Sequence, residues 1–151
     1  MINRTEAEIL GKVDNYLKYL QTLEEDSINR KIMYSIESYD LEKMHITFGY
    51  DTKKWMLNPG GTVHGGIICT MFDISMGSSA AAFSGCYPPT VNLSVNYLSP
   101  IPNDDKVLVT CRVTKVGTKF VQMLAEAKIR SSGEICATAS ATFYKSGKQV
   151  I

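Results

Sequence analysis

Residues 64–84 read His64-Gly65-Gly66-Ile67-Ile68-Cys69-Thr70-Met71-Phe72-Asp73-Ile74-Ser75-Met76-Gly77-Ser78-Ser79-Ala80-Ala81-Ala82-Phe83-Ser84, and this stretch decides the fold. Between Ile67 and Phe83, apolar and small side chains fall on every side of a helix, the mark of a helix buried within protein. The length is close to that of a membrane span. A central aspartate would cost about 3 kcal/mol in lipid, however, and serines and glycines dilute the rest. Asp73 is the only charged side chain between His64 and Asp104. That carboxylate is the feature to explain.

Downstream, Pro88-Pro89 closes the helical region, and Val91, Leu93, Val95 and Tyr97 alternate with Thr90, Asn92, Ser94 and Asn96 up to Pro100. Period-two alternation predicts a strand. Three more strands follow, with inward faces Val107/Val109/Cys111/Val113, Val121/Met123/Ala125/Ala127/Ile129 and Ile135/Ala137/Ala139/Ala141/Phe143. Gly117-Thr118 and Ser131-Ser132-Gly133 are the hairpin turns between them. The alanines of the last strand imply close approach by another backbone, and the buried helix is the only long element able to supply it. Upstream, Met33 to Ser38 reads as a short strand. After a turn near Asp40, Met44, Ile46, Phe48 and Tyr50 alternate against His45 and Thr47. His45 then lies on a polar strand face.

At the N-terminus, Thr5 and Glu8 are spaced as a capping box. Ile9, Leu10, Val13, Tyr16, Leu17 and Leu20 then recur at helical spacing. The opposite face mixes both charge signs, so this helix packs on the core rather than on a membrane. The expected architecture is α+β, an antiparallel sheet wrapped around a central buried helix. It forms one domain over residues 1–151, with residues 1–25 as a flanking helix.

The 151 residues carry 16 Lys and Arg against 15 Asp and Glu, a net charge of +1, which gives no bulk field for nucleic acid or anionic lipid. Cys69, Cys86, Cys111 and Cys136 are scattered without a C-x-x-C pair, and His45 and His64 are the only histidines. No thiolate or imidazole metal site is expected, and no cofactor. Reduced thiols, and charges at Arg4, Glu6, Glu8, Lys12 and Asp14 where a secretory signal is apolar, predict a cytoplasmic protein.

A carboxylate in an apolar helix must be hydrogen-bonded, paired or protonated. A structural bond to a serine or a helix N-terminus answers that need as well as catalysis does. The neighbourhood favours chemistry, because Gly65 and Gly66 open the helix. Helix-opening amides lack intrahelical acceptors and can point at a substrate carbonyl oxygen. Gly65 and Asp73 are nevertheless eight residues apart, about 12 Å along a helix. One carbonyl cannot touch both within a chain. If they serve one reacting centre, two antiparallel helices about a two-fold axis must bring them together, and the active form is at least a dimer.

Asn58-x-x-Gly61-x-x-His64-Gly65-Gly66 followed by Asp73 resembles the hotdog-fold acyl-CoA thioesterases of the PaaI-like type, relatives of the phenylacetate-pathway and 4-hydroxybenzoyl-CoA thioesterases. The resemblance runs from about Met44 to Tyr144, and includes the strand Thr90 to Pro100 and the turn around Gly117. It implies hydrolysis of an acyl-CoA, with Asp73 as general base or nucleophile and the Gly65 or Gly66 amide polarising the thioester carbonyl. Asn58 and His64 would shape the carbonyl end of the site, and Thr90 would help orient the attack from the partner subunit. Ser99 would border the pantetheine channel, and Gly117, Thr118 and Lys119 would meet coenzyme A phosphates. A homodimer, or a dimer of dimers, is implied. For the acyl group, Met71, Phe72, Met76, Phe83 and Tyr87 are the candidate lining.

Two other functions compete. Hydration or dehydration of an acyl thioester fits the same fold, but no histidine follows Asp73 at the spacing that chemistry would require. A non-catalytic acyl-CoA sensor would need an output module, and the chain carries no DNA-binding helix pair.

Overall fold

The computed structural model describes residues 5–148; Arg4 and the other terminal positions, 1–3 and 149–151, lie outside the described residues. The elements run α1 (Glu6–Gln21), α2 (Ile28–Lys31), β1 (Ser35–Asp40), β2 (His45–Asp51), α3 (Gly65–Ser84), β3 (Thr90–Tyr97), β4 (Lys106–Val116), β5 (Phe120–Ile129) and β6 (Ile135–Tyr144). All six strands form one antiparallel sheet in the order β1-β2-β4-β5-β6-β3. The segment after β2 crosses as α3, and the chain re-enters the sheet at its far edge as β3.

The buried helix follows its sequence signature. Met71, Phe72, Met76, Ala80 and Phe83 are buried, and α3 packs most extensively on β4. The left-handed Gly85 at φ 75° ends it, a conformation that costs glycine little. By length and composition α3 is apolar enough to cross a membrane, but in this fold most of it is covered by protein. The inward faces of β4 and β5 are buried at every expected position. On β6 the expectation fails at one residue, because a register shift opposite Ala127/Lys128 leaves Ile135 exposed and turns Cys136 inward. The small side chains of β6 also meet only a minor part of α3.

The capping box forms as the sequence dictates: the Glu8 N–H donates to Thr5 Oγ1 at 3.3 Å, and the Thr5 N–H donates to Glu8 Oε2 at 2.8 Å. Ile9, Val13 and Leu20 bury α1 against the core. Tyr39 Oη ties the start of α1 to β1 by donating to Glu6 Oε1 at 2.8 Å.

Candidate active site

Asp73 is half-buried, not enclosed, because its stretch of α3 forms the floor of a cavity of about 610 Å³. The opposite wall is α1, through Lys12, Val13, Tyr16 and Tyr19, and Tyr87 to Thr90 closes one side. Thr90 Oγ1 donates to Asp73 Oδ1 at 2.7 Å. This hydroxyl and the carboxylate it meets belong to one chain. Crossing from α3 to the adjacent edge strand makes the pairing possible: β3 begins beside Asp73 and ends beside the start of α3, where Tyr97 Oη donates to the Gly65 carbonyl at 2.9 Å. Two hydroxyls of one strand thus hold the helix at Asp73 and at Gly65. The sequence pattern showed Tyr97 only as an apolar strand position, and its anchoring role went unseen.

His64 caps α3, its Nδ1 accepting the Gly66 N–H at 3.0 Å. An accepting Nδ1 places the proton of the neutral ring on Nε2. The Gly66 amide is therefore occupied, which narrows the pair of helix-opening donors to Gly65, the first helical residue, whose N–H has no intrahelical acceptor. Asn58 is engaged by its own loop. Its Oδ1 accepts the N–H groups of Gly60 and Thr62 at 2.9 and 3.3 Å, while its Nδ2 donates to Thr62 Oγ1 at 3.0 Å.

Of the expected residues only Asp73, Thr90 and Tyr87 line this cavity; Asn58, His64, Gly65 and Gly66 lie outside it. Ser99 Oγ donates to Glu134 Oε1. The Gly117 N–H closes the β4–β5 turn on the Phe120 carbonyl at 2.8 Å, so it is not available for phosphate, while Thr118 and Lys119 stay exposed. Met71, Phe72, Met76 and Phe83 belong to the core, and of the expected acyl lining only Tyr87 faces the cavity. Hydrophobicity marked those four correctly as apolar but could not say which side of α3 would be left uncovered. The small residues Gly77, Ser78, Ala81 and Ala82 form that side.

Tyr16 projects among several titratable groups. Burial raises its phenol above the ordinary value, and the nearby Tyr87, Tyr19 and Asp73 raise it further. The half-buried Cys69 thiol, one turn before Asp73, is likewise raised by burial and by the Asp73 carboxylate. Among the described residues no three His, Cys, Asp or Glu side chains gather as a metal site.

A long helix cradled by a single antiparallel sheet, with a carboxylate on the helix facing a cavity, defines a hotdog-fold protein. The family model for the Thioesterase superfamily matches residues 60–136, just over half of the sequence, and the chain belongs to that superfamily. It is 31% identical over 91 residues to acyl-coenzyme A thioesterase THEM4 of Xenopus laevis, a match covering 60% of this chain and 40% of that one. The chain thus spans less than half the length of that curated relative. Among solved structures it is similar to the PaaI protein of the E. coli phenylacetic acid degradation operon, with a TM-score of 0.78, 16% identity and coverage of 93% and 98%. It is also similar to smu.793 of Streptococcus mutans UA159 bound to acetyl CoA, with a TM-score of 0.72, 23% identity and coverage of 85% and 98%.

Proposed function

We propose that this protein is a cytoplasmic acyl-CoA thioesterase that needs no metal or organic cofactor, built as one domain per chain and working as a homodimer. The observation that carries the reading is the Asp73–Thr90 pair at the cavity floor, on the same helix that Gly65 opens. Membership of the Thioesterase superfamily and similarity to a protein solved with acetyl CoA support a thioester as substrate.

The chemistry is an acyl transfer to water. Thr90 holds Oδ1 of Asp73, which leaves Oδ2 to take a proton from water as its oxygen attacks the thioester carbon. The carbonyl oxygen gathers negative charge and is met by the Gly65 N–H, a fixed donor at a helix N-terminus. Collapse of the tetrahedral intermediate breaks the C–S bond. The sulfur leaves with the proton as the CoA thiol, and the free acid forms. Because Gly65 and Asp73 stand about 12 Å apart along one helix, the amide of one subunit serves the carboxylate of the other. The exposed edge strand β3, with Val91 and Tyr97 open to solvent, supports such pairing. Thr118 and Lys119 remain the donors assigned to coenzyme A phosphate.

The test is thiol release from a panel of aryl, short, medium and long acyl-CoAs. The parent releases thiol, and Asp73→Asn, isosteric and folded by circular dichroism, loses at least about a thousandfold in kcat, as expected when a general base and its charge are both removed. An Asp73→Asn protein as fast as its parent would sink the assignment.

A further inference from the structure

Gly65 is followed by a second glycine in the first turn of α3, where the chain itself does little to restrict the backbone. The structure nevertheless holds both peptide planes around it. Ahead of Gly65, the His64 carbonyl accepts the N–H groups of Ile67 and Ile68 at 2.9 and 3.2 Å, and the His64 N–H donates to the Met56 carbonyl at 2.8 Å. Behind it, the Gly66 N–H is taken by His64 Nδ1, and the Gly65 carbonyl accepts Tyr97 Oη at 2.9 Å. Of these four holds, the one from Tyr97 comes from the sheet.

The helix does not need that bond. A carbonyl at the start of an α-helix already accepts the N–H four residues on, and the Tyr97 side chain is 53% exposed, so its burial adds little. The strand is shaped to make the bond all the same. Thr90 and Tyr97 are an odd number of positions apart, which on a regular strand sends them to opposite faces. A register shift between Thr90 and Asn92 reverses this, and Thr90 pairs with Phe143 and Tyr97 with Ala137, two buried residues of β6. Both hydroxyls therefore reach α3, a use of a bulge that recurs beside active sites. Just past Tyr97, the Leu98 and Ser99 N–H groups both donate to the Cys136 carbonyl, at 2.9 and 3.1 Å, and fix the end of the strand. Burial and the nearby Cys69 thiol raise the Tyr97 phenol above its ordinary value, so it stays a donor.

Resting on the thioesterase reading, we propose that Tyr97 is a positioning residue for the oxyanion donor: by holding the Gly65 carbonyl it fixes the direction in which the Gly65 N–H points. β3 then sets both halves of the chemistry, the carboxylate through Thr90 at one end and the amide through Tyr97 at the other. Tyr97 itself touches no reacting atom. Its contribution is preorganisation, because a donor already aimed at the developing oxyanion needs no rearrangement as charge builds. An interaction that strengthens only in the transition state acts on kcat and not on KM.

The experiment measures kcat and KM for thiol release from the fastest acyl-CoA of the panel in the parent and in Tyr97→Phe, and repeats the substitution in Gly65→Ala and Gly65→Pro. The phenylalanine keeps the ring, and melting temperature checks the fold. Tyr97→Phe should lower kcat about tenfold in the parent while KM stays within about twofold. Gly65→Ala brings the same Cβ against the ring but keeps its N–H, and should lose a similar factor. Gly65→Pro has no N–H left to aim and should lose nothing further, the non-additivity expected of two residues that act on one interaction. A Tyr97→Phe protein with the parent's kcat, a loss confined to KM, or the same factor in the alanine and proline backgrounds overturns the inference and leaves the thioesterase reading standing. A parent that releases thiol from no member of the panel overturns both.

Discussion

At the scale of single residues, the sharpest question concerns one N–H. Gly65 is the first residue of α3, a position where proline is well tolerated, and His64 before it has φ −62° and ψ 135°, the extended backbone that proline demands of its predecessor. Gly65→Pro therefore deletes the amide proton while leaving the helix start intact. A Cβ there meets the Tyr97 ring at 3.3 Å, a crowding that Gly65→Ala shares while keeping its N–H. Stopped-flow thiol release should show Gly65→Pro about a hundred- to a thousandfold below Gly65→Ala in kcat, the cost of one oxyanion donor. Equal rates for the two variants would remove Gly65 from the chemistry. Asp73 was legible in the sequence because one charge in so long an uncharged stretch has to be accounted for. Its Thr90 partner was legible only through the resemblance, since strand periodicity says nothing about what a hydroxyl faces. Asn58 and Ser99 look the same in sequence whether they hold a loop or a ligand.

At the scale of elements, hydrophobic periodicity located every long helix and strand, because each buries one continuous face and removal of apolar surface from water is the main force driving folding. It missed the inversion at Ile135, where a register shift exchanges inside and outside without altering the alternation of residue types. It also missed what binds strands laterally. Glu37 of β1 receives Ser35 Oγ at 2.7 Å, Lys106 Nζ of β4 at 3.0 Å and Arg130 at 3.1 Å, residues up to 93 positions away. Gly49 across the strand pair leaves the room, since a Cβ there would lie 2.4 Å from the Glu37 carboxylate. The Ser35 and Lys106 hydrogen bonds hold Glu37 below the ordinary glutamate value of 4.5. A depressed carboxylate stabilises the fold fully above its unfolded value and loses that contribution as pH falls through the lower folded value. Melting temperature should therefore drop on acidification below about pH 4.5, and Glu37→Gln should shrink that part of the drop. An unchanged acid limb in the variant would show that this cluster is too exposed to matter.

At the scale of the whole molecule, the proposed function needs a carboxylate and an amide that lie about 12 Å apart on one helix, farther than one carbonyl can span within a chain. The sequence conveyed this through spacing alone, since the rise of a helix is fixed. It could not convey the cavity, which exists because α1 stands off from the small-residue side of α3, a matter of tertiary packing that no local pattern encodes. The central claim is that Gly65 of one subunit and Asp73 of the other complete a single thioesterase site, and mixing tests it most directly. Asp73→Asn and Gly65→Pro should each be nearly inactive alone, and unfolding and refolding them together allows subunits to exchange. In a mixed dimer one site has both defects and the other has neither. Thiol release should recover to about a quarter of the parent rate, from half the dimers carrying one intact site of two. A mixture no faster than its two components, with exchange confirmed by mass spectrometry of the intact dimers, would contradict the shared site.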